Sequence, residues 1–177
     1  MERDALAARI QRVAHLTGTF TLRSGQTSTE YFDKFQFTAR PDLLGPVAEH
    51  LAEVLPADVE VLAGIQLGGV PLTAALSLRT GLPAVYVRLQ RKAYGTGRIS
   101  EGVEVAGRVV AVVEDVVTTA GQVRLSASDL RAEGADVRYA LAVVDRQQGG
   151  RANLAGDGLE LRALFTSSDL VAAAVDP

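Results

Sequence analysis

Apolar and polar positions alternate with two different periods along the chain, and the pattern predicts an α/β fold. Helical spacing of apolar residues predicts a helix over Ala5–Leu16 and a second over about residues 41–54. Beyond them, short apolar runs predict strands at Val61–Ala63, Ala84–Val87, Val109–Val113, Tyr139–Val144 and, as an edge strand, Leu159–Leu164. Amphipathic stretches between and after these runs predict helices at Pro71–Leu78, Gln122–Glu133 (capped by Gly134) and Ser168–Ala174. This alternation predicts a parallel, Rossmann-like twisted sheet flanked by helices.

The N-terminal 40 residues read differently from the rest of the chain. Two short strands, Phe20–Leu22 and Tyr31–Phe37, are expected on either side of the polar turn Ser24–Ser28. We therefore predict a single domain over 1–177, with an N-terminal helix and hood over about 1–40. The core spans about 41–165 and includes a polar, glycine-bearing loop at about 90–102.

Composition and charge narrow the classes of partner. The chain has 177 residues, of which 47% are hydrophobic and 22% charged, as is ordinary for a soluble protein. We expect no secretory signal, because no apolar segment follows the charged residues 1–4. No apolar run approaches the roughly 20 residues needed to span a bilayer, and the sequence has no cysteine. The net charge of −3 gives no overall attraction to nucleic acid or to anionic membrane. We expect a cytoplasmic protein that binds neither, with any phosphate held at a local site.

The strongest predicted strand leads into the most informative segment. Val109–Val113 is followed by Glu114 and Asp115, then by a turn of small and hydroxyl residues, Thr118–Gly121. Ligands of open α/β sheets bind beyond the carboxyl ends of the strands, where such a turn and the next helix N-terminus can hold a phosphate. Two carboxylates beside a bare phosphate would be repulsive. They are explained if the ligand also offers sugar hydroxyls or a cation, as a ribose 5-phosphate does.

This segment resembles the phosphoribosyl pyrophosphate (PRPP) signature of the type I phosphoribosyltransferases, although Gln122 stands where that family usually has Ser or Thr. The resemblance implies PRPP contacts from the whole segment, with the ribose on the two acids. The implied residues are Glu114, Asp115, Val116, Val117, Thr118, Thr119, Ala120, Gly121 and Gln122.

Other segments resemble the orotate phosphoribosyltransferases within that family. Phe20–Gly25 with Ser28, Tyr31, Phe32 and Asp33 is similar to their N-terminal hood, in which Arg23 would contact PRPP while Tyr31 and Phe32 wall the orotate pocket. Residues 143–150 resemble their Asp-Arg-x-x-Gly-Gly segment, whose arginine, here Arg146, binds the carboxylate of orotate. A guanidinium can grip a carboxylate with two parallel hydrogen bonds, which adenine and uracil cannot offer. Thr118 is also expected at the orotate.

Two further segments are implied to meet the pyrophosphate. Residues 87–96 are similar to the family's mobile catalytic loop, with Leu89 in place of the first lysine and Arg91 as a candidate to supply that charge. The residues implied there are Arg88, Arg91, Lys92 and Tyr94. Residues 64–71 fit the pyrophosphate turn. Some members carry Tyr-Lys where Leu67-Gly68 stand, so the backbone amides of Gly68 and Gly69 would act instead.

The resemblance implies transfer of the 5-phosphoribosyl group from PRPP to orotate, giving orotidine 5′-monophosphate in pyrimidine biosynthesis. Lys92, Glu114 and Asp115 would be the catalytic residues. The implied cofactor is Mg²⁺ held mainly by substrate and water, and the implied assembly is a homodimer whose loop reaches the partner's site.

Two alternatives stay open at this stage. A phosphoribosyltransferase for another base would share the acidic pair, but Arg146 and the hood aromatics would then lack a role. A non-catalytic regulator that senses PRPP or a nucleotide is favoured by Leu89 and Gln122 and opposed by Glu114, Asp115 and Lys92.

Overall fold

A six-stranded sheet with helices on both faces forms the body of the molecule. In this computed structural model, residues 1–21, 25–90 and 98–174 are described. The strand order is β5-β4-β3-β6-β7-β8, and β5 is antiparallel to β4 whereas the other neighbours are parallel. The strands are β3 (Val61–Ile65), β4 (Ala84–Val87), β5 (Ser100–Gly102), β6 (Val109–Val117), β7 (Asp136–Asp145) and β8 (Glu160–Thr166). The predicted parallel sheet, with its last strand at an edge, is confirmed.

Helices connect the strands and cover the sheet. They are α1 (Arg3–Ala14), α2 (Phe35–Thr38), α3 (Pro41–Val54), α4 (Gly69–Thr80), α5 (Gly121–Ala132), α6 (Gly150–Gly156) and α7 (Ser167–Ala173). Side chains of β6 alternate between two cores: Val110 and Val112 lie with α5, whereas Ala111 and Val113 lie with α1, α3 and α4. Successive side chains of the strand point to opposite faces of the sheet, so a strand that is buried on both faces needs a continuous run of apolar residues. In the described ranges, no helix has the length and apolar character needed to cross a membrane.

The predicted strand at Tyr31–Phe37 is wrong beyond Phe32. The antiparallel ribbon of β1 (His15–Thr21) and β2 (Thr27–Phe32) ends there, and the chain turns into α2. The Asp33 carboxylate accepts hydrogen bonds from the backbone N–H of Phe35, at 3.1 Å, and from Gln36 Nε2, at 3.0 Å. An aspartate that satisfies the first N–H groups of a turn favours helix over strand.

Other boundaries also differ from the pattern. Helix α1 ends at Ala14, so that His15 and Leu16 belong to β1, where Leu16 pairs with Tyr31. Strand β6 continues through the two acids to Val117, so they lie within the strand and not after it. Neither β5 nor α6 was expected.

The order of the strands locates a crevice. From β3 the chain moves outward to β4, then returns to place β6 on the other side of β3 and continues away through β7 and β8. The carboxyl ends of β3 and β6 therefore diverge into connections that run in opposite directions, which is where open α/β sheets bind ligands.

Candidate active site

The turn between β6 and α5 forms one wall of the crevice. Ala120 adopts a left-handed conformation with φ 65°, and α5 begins at the next residue, Gly121. Helix α6 supports the turn from behind, because Asn153 Nδ2 donates to the Thr119 carbonyl at 3.0 Å. A Cβ added to Gly150 would collide with the carbonyl oxygen of Thr118. The turn thus leads into the N-terminus of α5, which favours binding of an anion. Its backbone is held in place by contacts with α6.

Glu114 and Asp115 lie at the floor of the crevice. Asp115 is fully buried and Glu114 is 8% exposed. Glu114 Oε1 accepts the backbone N–H of Asp115 at 3.1 Å, and Asp115 Oδ1 accepts that of Val116 at 2.7 Å. Burial, together with the hydrogen bond and the charge of Asp115, raises the pKa of Glu114 to about 9. Glu114 therefore holds its proton more tightly in the folded, ligand-free protein than a free glutamate does.

Lys34 reaches the same carboxyl group from the hood. Its Nζ lies 3.0 Å from Asp115 Oδ1 and forms an ion pair with it. Lys34 was not among the site residues predicted from the sequence. A usable signal exists, since the chain holds only two lysines, Lys34 and Lys92, and the second was already implicated.

The turn after β3 closes the crevice on the other side. A Cβ on Gly68 would collide with the Asp115 carboxylate, and one on Gly69 would collide with the carbonyl oxygen of Val113. Both glycines thus allow backbone to approach β6 directly. The preceding peptide, Gln66–Leu67, is cis, and the Leu67 side chain is 61% exposed.

A cavity of about 740 Å³ opens between the hood ribbon and the carboxyl ends of β6 and β7. The cavity size is typical of a small-molecule site. The guanidinium carbon of Arg146 lies 5.4 Å from the centroid of the Phe32 ring, and Tyr31 stacks on Phe20 with centroids 5.4 Å apart. The residues that line this cavity include His15, Glu30, Tyr31, Phe32, Thr118 and Arg146.

The cavity brings together all four residues predicted for the orotate. It also contains two residues that sequence reasoning missed, His15 and Glu30, whose Nε2 and Oε2 atoms are 3.5 Å apart. Nothing local marked His15, because it was placed on a predicted helix. A second cavity, of about 570 Å³ between α1 and α7, includes none of the predicted site residues.

Two side chains that were predicted to contact PRPP, those of Arg88 and Gln122, instead bond to other protein side chains in this structure. Arg88 Nε pairs with Glu101 Oε1 at 3.1 Å, across β4 and β5. Gln122 Nε2 donates back along α5 to Ser126 Oγ at 3.3 Å. The remaining predicted contacts, Arg23, Arg91, Lys92 and Tyr94, lie outside the described residues.

Known proteins resemble the chain over nearly its whole length. A curated orotate phosphoribosyltransferase from Nocardioides sp. strain JS614 is 49% identical over 168 residues, covering 95% of this chain and 94% of the relative. Another, from Methanocella arvoryzae, is 44% identical over 154 residues, covering 87% of this chain and 88% of the relative. No protein-family model matches the chain.

Solved structures agree with these relatives. Mycobacterium tuberculosis H37Rv orotate phosphoribosyltransferase with Fe(III) dicitrate superposes with a TM-score of 0.87 at 30% identity, covering 95% of this chain and 98% of that one. The same enzyme in complex with PRPP gives a TM-score of 0.82 at 27% identity, covering 96% and 98%. The predicted type I phosphoribosyltransferase fold is confirmed, and with relatives this similar over this length, the chain belongs to the orotate phosphoribosyltransferase family.

Proposed function

We propose that this protein transfers the 5-phosphoribosyl group of PRPP to orotate, forming orotidine 5′-monophosphate and pyrophosphate. The observation that carries the proposal is the position of Arg146 in the cavity. Its guanidinium stands over Phe32, and Thr118 of the phosphate turn lines the same space. A flat base that bears a carboxylate would thus meet a cation, an aromatic wall and the end of a phosphate site at once.

PRPP fits the crevice between the two turns. Its 5′-phosphate would lie on the N–H groups at the start of α5, and its pyrophosphate would lie on the Gly68–Gly69 backbone. The ribose between them would meet Glu114 and Asp115. The buried Oδ2 of Asp115 lies against Gly68 and has no hydrogen-bond partner among the described atoms, so it is an unused acceptor that a ribose hydroxyl would reach if the Gly68 turn shifts on binding. The PRPP complex of the M. tuberculosis relative supports this ligand.

The chemistry would be a displacement at C1 of the ribose. The bond from C1 to the pyrophosphate oxygen breaks, and its electron pair leaves with pyrophosphate. N1 of orotate loses its proton to the leaving pyrophosphate or to solvent and forms the new bond to C1, as the sugar passes through an oxocarbenium-like state. The protein's contribution is positional and electrostatic: Arg146 and Phe32 orient the base, while the acids hold the sugar. Neutralisation of the pyrophosphate by Lys92, with Arg88 and Arg91, remains a prediction from the sequence.

Mg²⁺ is the proposed cofactor. The described residues include no cluster of three or more side chains that could hold a metal ion, so the ion would be held mainly by the oxygens of PRPP and by water. When bound, Mg²⁺ would neutralise charge on the leaving pyrophosphate. A homodimer that shares the catalytic loop, and a cytoplasmic location, also remain predictions.

The test is a spectrophotometric assay of orotate consumption with PRPP and Mg²⁺, run beside adenine and uracil. We expect turnover of orotate that depends on PRPP, and none of the other bases. Use of adenine or uracil instead would favour the other-base alternative. Absence of all turnover, with PRPP still bound in calorimetry, would favour the regulator.

A further inference from the structure

Lys34 joins the hood to the acidic end of β6. Its side chain is 40% exposed, whereas the carboxyl group it pairs with, on Asp115, is fully buried. The Phe35 ring lies on its other side, with Nζ 5.7 Å from the ring centroid. A lysine ammonium has three N–H donors, and Asp115 Oδ1 takes one at 3.0 Å. The remaining donors are close to the ligand crevice.

The turn that faces Lys34 across Asp115 carries no cation of its own. From residue 64 to residue 71 the sequence contains neither lysine nor arginine, and Leu67 is exposed at the turn. Backbone N–H groups are the donors that this turn itself offers to a pyrophosphate, next to two carboxyl groups. A cation at the turn, in addition to those predicted from residues 87–96, would strengthen the site for a ligand with several negative charges.

The geometry supplies the missing charge from the hood. Gly68 packs directly on the Asp115 carboxylate, at Oδ2, and Lys34 holds the other oxygen of the same carboxylate. Only one carboxyl group therefore separates the ammonium from the turn. Lys34 is the N-cap residue of α2, at the point where the hood ribbon has ended and the chain turns into that helix.

We propose that Lys34 is the cation of the Gly68–Gly69 turn, binding the pyrophosphate of PRPP while it fixes Asp115 for the ribose. The proposal rests on the proposed function, and it assigns to a hood residue the role that a basic residue within the turn would otherwise have. It also accounts for the lack of a basic residue at Leu67-Gly68, where some members of the family carry Tyr-Lys.

The test compares Lys34→Gln with a matched loss of charge, Arg40→Gln, at the exposed N-cap of α3. Calorimetry with inorganic pyrophosphate and with PRPP gives Kd values without turnover, and steady-state assays give KM for each substrate. We expect Lys34→Gln to raise both Kd values about tenfold or more, because a hydrogen bond to a charged group is lost. Arg40→Gln should leave them within about twofold.

A second variant separates binding from structure. Adding Leu67→Lys to Lys34→Gln places an ammonium in the turn itself, and pyrophosphate affinity should return toward the wild-type value. Lys34→Arg should keep most of the affinity, since the charge is retained.

The proposal is overturned if Lys34→Gln leaves pyrophosphate affinity within about twofold of wild type. It is also overturned if affinity for orotate falls in parallel and Leu67→Lys restores nothing, since that result describes a purely structural lysine. Failure of the proposed function looks different: wild-type protein would bind pyrophosphate in a Lys34-dependent way and yet not consume orotate.

Discussion

Arg146, at the end of β7, stands over the ring of Phe32, at the end of the hood ribbon, with its guanidinium carbon 5.4 Å from the ring centroid. The contact joins two segments that are far apart in the sequence and places a cation against an aromatic wall. The stack restricts the arginine side chain while leaving its N–H groups free to grip a carboxylate in the plane of a base.

Replacing Arg146 with Gln should weaken the binding of orotate but not that of PRPP. Loss of a charge-assisted, two-pronged hydrogen bond is expected to raise the orotate KM about tenfold or more. The PRPP KM should change little, because Arg146 lies at the end of the crevice that holds the base. Arg124→Gln, which removes an exposed guanidinium paired with Asp157, is the control. Equal losses for both substrates would contradict the assignment.

Glu114 should make the ligand-free protein less stable as pH rises. Its pKa is raised from 4.5 to about 9, so between these values the folded state keeps a proton that the unfolded state releases. Stability then falls with pH in that window, by at most about 1.4 kcal/mol per pH unit for one proton. Glu114→Gln removes this dependence.

The measurement is urea unfolding of both proteins, without ligand, at several values between about pH 6 and pH 9. The free energy of unfolding of wild type should drop more steeply than that of Glu114→Gln. Parallel slopes would show that Glu114 is ionised in the folded protein.

Gly150 should matter to the phosphate turn although it belongs to another helix. In Gly150→Ala the new Cβ would meet the Thr118 carbonyl and displace the turn, at an expected cost of about 1–3 kcal/mol and a higher PRPP KM. Gly156→Ala, at the other end of α6, is the matched control, because its Cβ would meet no described atom within 4 Å. Thermal unfolding and PRPP kinetics of the pair decide the point. Indistinguishable variants would mean that α6 does not support the turn.

Gln122 offers a gain-of-affinity test. Its side chain donates to Ser126, so the first turn of α5 lacks the hydroxyl expected from the family pattern. Gln122→Thr should lower the PRPP KM by about two- to tenfold through one added hydrogen bond. Ser126→Ala removes the partner of Gln122 without adding a donor, and should leave that KM unchanged. A higher KM in Gln122→Thr would show that the Gln side chain itself binds the ligand.

The parts of the fold that sequence predicted well are those encoded by local pattern. Val109–Val113 is predictable because a strand that is buried on both faces shows a nearly continuous apolar run. The strand predicted at Tyr31–Phe37 extended too far because Phe35, Gln36 and Phe37 continue the alternation of apolar and polar residues that is typical of a strand. A single aspartate, Asp33, redirects that segment into α2, and a two-residue period does not reveal such a hydrogen bond.

The site was predictable where one segment carries it and not where two segments meet. The acids and the Thr118–Gly121 turn are contiguous, so their order alone indicates the chemistry. The Lys34–Asp115 ion pair joins the hood to β6, and no spacing within either segment encodes it. The support from Asn153 and Gly150 likewise depends on how α6 packs, a short helix that the pattern did not predict.

The placement of β6 between β3 and β7 couples ligand binding to the stability of the folded protein. Because hood, β3 turn, β6 turn and β7 end meet only when the sheet is complete, an incompletely folded chain has nothing with which to hold a ligand. A ligand that binds only the finished state stabilises it by mass action, by about 2.7 kcal/mol at a hundred times its Kd. Bound substrate is therefore expected to lower the fraction of unfolded chains, which is the form that proteases degrade.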